Sequence, residues 1–391
     1  MKVVQINTFP YKATGNIMLQ IHRLLQELGH ESYVVWGRGR KPDNMYEFSI
    51  EDRAGMGIHG VITRVFDRTG FASWRATRRL LSYLEEIKPD IIHLHNIHGY
   101  YLNIKMLFDY LNSHKEIQVV WTIHDCWPIT GHCAYFSAIQ CNKWKTGCHK
   151  CPQKNTYPKS SILDASKINW IQKKQCFEKR DIQLVTPSKW LKTILMESFL
   201  QNNNIEVIYN GLDLDVFKPV NDRKNNRKYI LGVASEWTER KGLRDFVELR
   251  KYLDRTYDII LIGLTEKQIK ELPNGIIGFK RTENVAELVS YYSGAEAFVN
   301  LSVEETMGMT TVEALACGTP VIVYNATALP EVVDQNAGII IDKIHDVEAV
   351  AEAIVRISKG NYDNCRCSAT QYENKKQFLK YVTLYKRVCG E

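Results

Sequence analysis

Short runs of β-branched and aliphatic residues alternate along this chain with segments of helical periodicity, and this alternation restricts the fold more than any other feature. The strand-like runs are KVVQIN, ESYVVW, DIIHLH, QVVWTIH, IQLVTPS, KYILGVAS, YDIILIG, GIIGFK, AFVNLS and PVIVY. The segments between them include NIMLQIHRLLQELG and SWRATRRLLSYLEEI, whose apolar residues recur at helical spacing. Strands that alternate with helices form parallel sheets with helices on both faces. We therefore predict an α/β protein.

The 391 residues are too many for one ordinary core and suit two domains. The pattern restarts after VIYNGLDLDVFKP, which ends at Pro219. We predict two doubly wound, Rossmann-like domains that face a central cleft, with residues 1–213 in the first and 214–371 in the second. The polar stretch VNDRKNNRKY after Pro219 is predicted to be a short loop. In such folds ligands bind beside the carboxyl ends of the strands.

The basic surplus of the chain is confined to its first part. Lys and Arg outnumber Asp and Glu by seven overall, and residues 1–215 contain 27 of the former against 20 of the latter. Within that part, TRVFDRTGFASWRATRRLLSYL combines arginines with aromatic residues. They are Arg64, Arg68, Arg75, Arg78, Arg79, Phe66, Phe71 and Trp74. This mixture favours contact with anionic lipid headgroups, although a solvated helix face is the alternative.

No segment of the sequence has the features of a membrane span or a secretory signal. There is no run of about 18 apolar residues, and MKVVQIN is typical of a buried strand rather than of a signal peptide. We therefore expect a cytoplasmic protein, with peripheral contact at the inner face of the cell membrane through the arginine-aromatic stretch.

Four of the ten cysteines, Cys133, Cys141, Cys148 and Cys151, lie in one loop-like segment with the spacing C-x7-C-x6-C-x2-C. Without a secretory signal, a disulfide framework is not expected. Four thiolates around Zn²⁺ would order such a loop, since tetrahedral coordination stabilises segments that lack a core of their own. The spacing therefore predicts a structural zinc site, with reduced thiols packed in the loop as the alternative.

Two glutamates, Glu305 and Glu313, stand eight residues apart around a turn that begins a helix. Free backbone N–H groups and the helix dipole make such a helix start a phosphate site, and a glycine lets the backbone approach closely. The residues at this start are Gly308, Met309 and Thr310. A carboxylate would repel phosphate, so we expect Glu313 to accept hydrogen bonds from a ribose diol and Glu305 to hold hydroxyls of a second sugar. A glutamate that only stabilises the helix dipole is the alternative.

With these motifs the chain resembles the retaining glycosyltransferases of family 4, which have the GT-B fold. The E-x7-E spacing of Glu305 and Glu313, followed by EALACGTPVI, is similar to the donor-sugar signature of that family. Counterparts of further stretches follow in the same order over almost the full chain: LQELGHES, KPDIIHLHN, TIHD, VTPSKWL, VIYNGLDLDVFKP and ERKGL. The loop HDCWPITGHCAYFSAIQCNKWKTGCHKCP is similar to a loop in the bacterial members of the family that build capsule, exopolysaccharide or O-antigen.

The resemblance implies retaining transfer of a sugar from a nucleoside diphosphate sugar to a saccharide acceptor that is linked to a lipid. A UDP-sugar is the favoured donor and a GDP-sugar the next. In the implied path the departing phosphate takes the proton of the acceptor hydroxyl, which requires no metal or other cofactor. The resemblance also implies that residues 1–213 form the acceptor side, that 214–371 bind the donor, and that a C-terminal helix, about residues 372–391, packs on the first domain.

The resemblance assigns the catalytic roles residue by residue. Lys241, in GVASEWTERKGL, matches the family lysine that binds the diphosphate, but Glu236 occupies the position of the usual arginine. Because an acid there would oppose a diphosphate, we expect Arg240 to take part of the role, or Glu236 to turn away. His124 matches the histidine that contacts the transferred sugar, and a satisfied histidine at a strand end is the alternative. The implied catalytic set is His124, Lys241 and Glu305.

Other positions match the family less strictly. Gly15 follows the first strand, where the family has a glycine-rich turn, and Arg281 and Thr282 fall where it recognises the base. The expected acceptor-side residues are Asn96, His98 and Asp125. His93 and His95 share one strand face, and packing is favoured there over a metal cluster.

Two other functions are alternatives to the transferase. A GT-B relative that epimerises or hydrolyses nucleotide sugars would consume the donor without an acceptor. A zinc-stapled nucleic-acid-binding protein would use the four-cysteine loop and the basic first domain. The chain lacks the interleaved basic and aromatic face that strand stacking needs, so nucleic acid is not an expected partner.

Overall fold

Each half of the chain folds around its own parallel sheet. The computed structural model describes residues 1–221 and 227–390. Unit 1 comprises Met1–Ile208 with Phe378–Glu391, and unit 2 comprises Tyr209–Gln377. The central residues of the predicted loop after Pro219 lie outside the described ranges.

The strands of unit 1 are β1 (Lys2–Asn7), β2 (Glu31–Trp36), β3 (Glu47–Ser49), β4 (Ile91–Leu94), β5 (Gln118–Thr122), β6 (Gln183–Thr186) and β7 (Ile205–Val207). They form one sheet in the order β3-β2-β1-β4-β5-β6-β7, and every pairing is parallel. The helices are α1 (Lys12–Glu27), α2 (Arg53–Phe66), α3 (Trp74–Ile87), α4 (Ile104–Ser113), α5 (Ser166–Phe177) and α6 (Lys189–Met196).

The strands of unit 2 are β8 (Lys228–Val233), β9 (Tyr257–Ile262), β10 (Ile276–Phe279), β11 (Ala297–Asn300), β12 (Val321–Tyr324) and β13 (Gly338–Ile341). They pair in parallel in the order β10-β9-β8-β11-β12-β13. The helices are α7 (Leu243–Leu249), α8 (Glu266–Lys270), α9 (Val285–Gly294), α10 (Met309–Ala316), α11 (Val347–Lys359), α12 (Cys365–Ala369) and α13 (Asn374–Val388).

The strand order of each sheet reverses once, and the place where it reverses is the switch point of that sheet. In unit 1 the reversal lies between β1 and β4, and in unit 2 it lies between β8 and β11. Loops that follow the two strands of a switch point leave in opposite directions and open a crevice at the carboxyl edge of the sheet. Each unit therefore has one preferred place for a ligand.

The predicted α/β class with two Rossmann-like domains is confirmed by these sheets. The sequence patterns did not predict β3, β7 and β13, which have three, three and four residues. All three lie at sheet edges. Strands β3 and β7 carry too few residues for a pattern, whereas β13 contains the apolar run GIII, which was overlooked although its length equals that of the predicted edge strand β10.

Helix α13 crosses the division between the units, and its later residues belong to unit 1. Phe378 and Tyr381 pack in a buried cluster with Val3. The hydroxyl of Tyr385 lies 2.6 Å from His93 Nδ1, and His93 Nε2 lies 2.8 Å from the hydroxyl of Thr122. His93 is thus fully buried and satisfied, which confirms the packing interpretation for this histidine.

Candidate active site

Lys241 and Glu305 meet at the switch point of unit 2. Lys241 ends a short turn, Glu239–Lys241, after β8, and Glu305 lies in the loop after β11. The two side chains form an ion pair and are only 18% and 15% exposed. Gly242 follows with φ 78°, and a Cβ atom there would lie 2.4 Å from the carbonyl oxygen of Leu301. Glycine is therefore what lets this turn approach the end of β11.

The ion pair keeps Glu305 charged. Burial by itself would raise the pKa of the Glu305 carboxyl, but the charge and hydrogen bond of Lys241, with the nearby charge of Arg240, hold this pKa below its ordinary value. The guanidinium of Arg240 also donates to the carbonyl oxygen of Glu304, and the carbonyl of Arg240 accepts from the N–H of Val303 at 2.9 Å. Arg240 thus holds the loop that presents Glu305.

Glu236, at the position of the family arginine, is exposed on the loop after β8. Its neighbour Trp237 is buried and donates from Nε1 to the carbonyl of Ile262 at 2.9 Å. The loop after β8 is therefore held in place beside Glu236 by the indole of Trp237.

Helix α10 begins without a side-chain cap. The residue before it, Gly308, has φ 83°, and a Cβ atom there would lie 2.6 Å from Leu329 Cδ2. Because glycine offers no side chain to bond the first N–H groups, the backbone of Met309 and Thr310 at this helix start suits an anion. The geometry of this turn depends on a glycine.

Glu313 lies one turn inside α10, and its carboxylate accepts a hydrogen bond from the Tyr292 hydroxyl at 2.8 Å. Burial raises the pKa of Glu313 to about 7, and the Tyr292 hydrogen bond opposes this only in part. The two predicted glutamates are therefore in different electrostatic states. Glu305 is held ionised, whereas Glu313 titrates near neutral pH.

Arg281 and Thr282 follow β10, the outermost strand on one side of the sheet in unit 2. Arg281 is exposed and Thr282 is half-buried. Strands β9 and β8 separate β10 from β11. The structure thus brings Lys241 and Glu305 together and leaves these two predicted base-binding residues at one end of the same carboxyl edge.

In unit 1, His98 and Asp125 form a buried pair. His98 Nε2 lies 2.8 Å from Asp125 Oδ2, and His98 Nδ1 lies 3.1 Å from the Tyr157 hydroxyl. The other carboxylate oxygen of Asp125 accepts the N–H of Trp127 at 2.9 Å. Burial alone would raise the pKa of Asp125, but the charge and hydrogen bond of His98 hold it below its ordinary value. Two predicted acceptor-side residues thus lie together, with Tyr157 as a third member.

A chain of hydrogen bonds fixes the tautomer of His124. The side-chain amide of Gln5 donates to the Met18 carbonyl at 3.2 Å, so its Oε1 accepts from His95 Nε2 at 3.1 Å. His95 Nδ1 must then accept in the 3.0 Å bond to His124 Nε2, which carries the proton. Burial lowers the pKa of His124 to about 4, despite the charge of Asp125. At neutral pH His124 is therefore an uncharged ring whose Nδ1 is an acceptor.

Asn96 and Gly15 shape the backbone around the switch point of unit 1. The N–H of Asn96 donates to Asn7 Oδ1 at 3.2 Å, and its carbonyl accepts from the Thr8 hydroxyl at 3.1 Å, so Asn96 ties the ends of β1 and β4 together. Gly15 lies in the first turn of α1, where a Cβ atom would be 2.5 Å from the carbonyl oxygen of Phe9. Only glycine lets the chain after β1 fold this close to the helix.

Sequence reasoning missed Gln5, Tyr157 and Tyr292. Gln5 had a signal, because it is a polar residue in an otherwise apolar run of β1, with no exposed surface. Tyr157 and Tyr292 reach their partners from distant segments of the chain. No local pattern marks them.

The four cysteines of the predicted zinc site line one pocket in the segment between β5 and α5, together with His132. Cys133 is buried and the other three are partly exposed. Within the described ranges, no three His, Cys, Asp or Glu side chains already form a group able to hold a metal ion. Zinc binding at this loop stays a prediction.

Some side chains of the arginine-aromatic stretch are exposed, and others make hydrogen bonds or ring contacts within unit 1. The exposed members are Phe66, Trp74, Arg64, Arg75 and Arg78. Arg68 instead is partly buried, donates to Asn169 Oδ1 at 2.7 Å and lies over the ring of Phe71. Arg79 is exposed as well, but its guanidinium donates to the carbonyl of Ser49 at 3.0 Å. Across the part of the chain that the structure describes, no helix combines the length and the apolar character needed to cross a bilayer.

Comparison with protein families accounts for most of the chain. The family described as Glycosyltransferase Family 4 matches residues 14–216, and the family described as Glycosyl transferases group 1 matches residues 227–359. The first match alone spans more than half of the chain.

Some relatives are distant in sequence but match over almost the whole chain. It is 23% identical to the putative colanic acid biosynthesis glycosyl transferase WcaC of Escherichia coli (strain K12), over 99% of this chain and 100% of that protein. Its structure is similar to sucrose-phosphate synthase from Thermosynechococcus elongatus, with a TM-score of 0.74, 17% identity, and coverage of 99% of this chain and 98% of that one. It is also similar to Anabaena Alr3699/HepE in complex with UDP-glucose, with a TM-score of 0.66, 14% identity, and coverage of 99% and 100%. At these identities the structural likeness shows the fold alone.

Proposed function

This chain belongs to glycosyltransferase family 4 and has the GT-B fold that the sequence predicted, and we propose that it transfers a sugar with retention from a nucleoside diphosphate sugar to a saccharide acceptor. The observation that carries the proposal is the convergence of Lys241, Glu305 and the glycine-led start of α10 at one switch point. A cation, a carboxylate and free backbone N–H groups are the parts that a diphosphate and a sugar need. The relative named for colanic acid biosynthesis supports a role in bacterial surface polysaccharide synthesis.

On the donor side, the start of α10 would bind the diphosphate, Glu313 the ribose and Glu305 the hydroxyls of the transferred sugar. A ribose diol donates hydrogen bonds, so it favours the ionised form of Glu313, whose pKa of about 7 leaves that form accessible. We favour a UDP-sugar, with a GDP-sugar next. A protein of similar fold, Alr3699/HepE, was solved with UDP-glucose, which is consistent with this choice.

Lys241 exchanges partners in this proposal. In the free protein it neutralises Glu305, which prepares an ionised carboxylate at low cost. When the donor binds, the sugar hydroxyls donate to Glu305, and Lys241 turns its remaining N–H groups to the diphosphate. The pair would therefore position the two halves of the donor against each other.

The chemical step would be dominated by electrostatics. As the bond from the anomeric carbon to the diphosphate oxygen breaks, negative charge grows on the leaving group, and Lys241 with the start of α10 stabilises it. The acceptor oxygen bonds to the same face of the anomeric carbon and passes its proton to the departing phosphate oxygen. Glu305 is a poor nucleophile while Lys241 pairs with it, which agrees with a path without a glycosyl-enzyme intermediate. No metal is required for this path.

On the acceptor side, His98, Asp125 and Tyr157 offer donors and acceptors for hydroxyl groups. His124 would accept, through its unprotonated Nδ1, a hydrogen bond from a hydroxyl of the transferred sugar. We further infer that the acceptor is lipid-linked. The exposed arginines and aromatic rings around Phe66 and Trp74 would hold the protein at the inner face of the cell membrane, on the cytoplasmic side.

A thermal-shift panel with UDP, GDP, ADP, CDP and dTDP tests the donor site. One nucleotide, UDP first, should raise the melting temperature of the wild-type protein by mass action. Glu313→Ala and Lys241→Ala should abolish the shift, whereas the matched controls Glu352→Ala and Lys251→Ala, at exposed positions, should keep it. No stabilisation by any nucleotide would contradict the proposed site.

The reaction itself is tested with the donor so identified and saccharide acceptors. NMR of the product should show the same anomeric configuration as the donor sugar. Rapid consumption of the donor without any acceptor would favour an epimerase or a hydrolase instead.

A further inference from the structure

His132 has one ring nitrogen that is satisfied and one that is not. Its Nδ1 lies 2.5 Å from Asp67 Oδ1, and both side chains are buried, with 0% and 1% of their surface exposed. Its Nε2 is buried and has no hydrogen-bond partner among the described residues. An unpaired buried polar atom costs about 1–3 kcal/mol, so its retention calls for a ligand.

The same histidine lines the pocket that the four loop cysteines line. Within it, Cys133 and Cys151 lie close enough to shift each other's pKa, and Cys151 also lies close to His132. The N–H of Gly131 donates to Cys148 Sγ at 3.2 Å. Cys141 lies near Cys148.

We propose that this pocket binds one structural Zn²⁺ ion, and that His132 Nε2 is a ligand beside the thiolates of Cys133, Cys148 and Cys151. Five donors line the pocket and tetrahedral zinc takes four. We assign Cys141 as the spare thiol, because Cys133 lies near both Cys148 and Cys151 and Cys151 lies near His132. A carboxylate on the far nitrogen of a zinc-bound histidine fixes its tautomer and its orientation, and Asp67 occupies that position. The four-thiolate set that the spacing predicted lacked this histidine, since His132 is not part of the cysteine repeat.

The surroundings of the pocket fit such a site. Zinc with three thiolates and one imidazole has a net charge of −1. The buried ammonium of Lys173 lies near Cys148 and Cys133 and is held by the carbonyls of Trp127 and Thr130, at 2.7 and 2.9 Å. In the described ranges no three of these side chains lie close enough together to hold a metal ion. Zinc binding must therefore move the cysteines of the loop towards His132. That closure would order the segment that carries Trp127, whose N–H bonds Asp125.

Metal analysis of the full chain tests the proposal without reference to activity. The protein, purified without a metal-affinity tag, stripped with chelator and reconstituted with ZnCl₂, should retain one zinc per chain after desalting. X-ray absorption at the zinc edge should give three sulfur ligands at about 2.3 Å and one nitrogen at about 2.0 Å. Retention of less than about 0.2 zinc per chain would overturn the site, and a shell of four sulfurs would overturn the role of His132.

Variants identify the ligands. Cys148→Ser and His132→Gln should each lower zinc retention at least tenfold, and Asp67→Asn should lower it about tenfold through the histidine. Cys141→Ser and the exposed control Cys367→Ser should retain the metal fully. Loss of zinc in Cys141→Ser would overturn its assignment as the spare thiol. If the ligand variants fail to fold, the absorption spectrum of the wild-type protein still decides between the two ligand sets.

Discussion

Lys241 neutralises a carboxylate that burial would otherwise destabilise, so its removal affects stability as well as transfer. Lys241→Ala would leave Glu305 charged and largely buried, and we expect the free energy of unfolding to fall by about 2 kcal/mol. The double variant Lys241→Ala/Glu305→Gln lacks the unpaired charge. It should recover most of that stability while its transfer rate stays about 100-fold or more below wild type. Urea unfolding and initial rates measure the two effects.

An exposed ion pair serves as the control for the Lys241–Glu305 pair. Lys251 pairs with Glu248, and both are well exposed, at 66% and 44%. Lys251→Ala should therefore change stability by less than about 0.5 kcal/mol. If the double variant were as unstable as Lys241→Ala alone, the loss could not come from the unpaired Glu305 carboxylate.

Glu313 offers a prediction that depends on pH. Its folded-state pKa of about 7 lies above the ordinary value of 4.5, so the folded state holds this proton more tightly than the unfolded state. The stabilisation is complete below about pH 4.5 and is lost as pH rises through about 7. Glu313→Gln avoids that loss, and its advantage over wild type should grow from pH 5 to pH 8, to at most roughly 3 kcal/mol. Denaturation at several pH values measures it.

The same substitution should weaken nucleotide binding, because a neutral amide is a poorer acceptor for a ribose diol than a carboxylate. Glu352→Gln, on the exposed face of α11, is the control and should show neither effect. A Glu313→Gln protein with unchanged stability at pH 8 would mean that this carboxyl is not desolvated.

At the scale of elements, the junction between β11 and α10 depends on one glycine. Gly308→Ala would place a Cβ atom 2.6 Å from Leu329 in a left-handed conformation, and we expect a loss of about 1–3 kcal/mol of stability together with weaker nucleotide binding. Gly57, inside α2, is the matched control, since a Cβ atom there meets nothing within 4 Å. Gly57→Ala should stabilise the protein by about 0.5–1 kcal/mol. Melting curves of both variants test the contrast.

At the scale of the whole molecule, the exposed arginine-aromatic surface predicts lipid binding by unit 1. Phe66→Ser/Trp74→Ser should lower co-sedimentation with phosphatidylglycerol vesicles several-fold, and wild type should bind phosphatidylcholine vesicles weakly. Tyr252→Ser, which removes an aromatic ring of similar exposure from unit 2, is the control and should bind as wild type does. Equal binding to both lipids would contradict an electrostatic contribution.

Much of the whole molecule follows from local sequence. The alternation of apolar runs with segments of helical periodicity predicted both parallel sheets. A buried parallel strand needs a short continuous run of apolar residues, and such a run is visible in the local sequence. The glutamate spacing marked the start of α10, since a glycine-led turn and a helix start are local features. The central strands and the edge strand β10 were predicted for the same reason, and the edge strands β3, β7 and β13 were not.

What only the tertiary structure decided is which distant side chains meet and in what charge state. Lys241 and Glu305 are 64 residues apart in sequence, and their pairing follows from the strand order that sets β8 beside β11. The tautomer of His124 depends on Gln5, and the orientation of His132 depends on Asp67, each through a contact between separate segments. Sequence patterns report burial and periodicity along the chain, whereas hydrogen bonds, desolvation and ion pairing depend on neighbours in space. The sequence by itself therefore determined the fold class and the candidate site residues, and packing determined their chemistry.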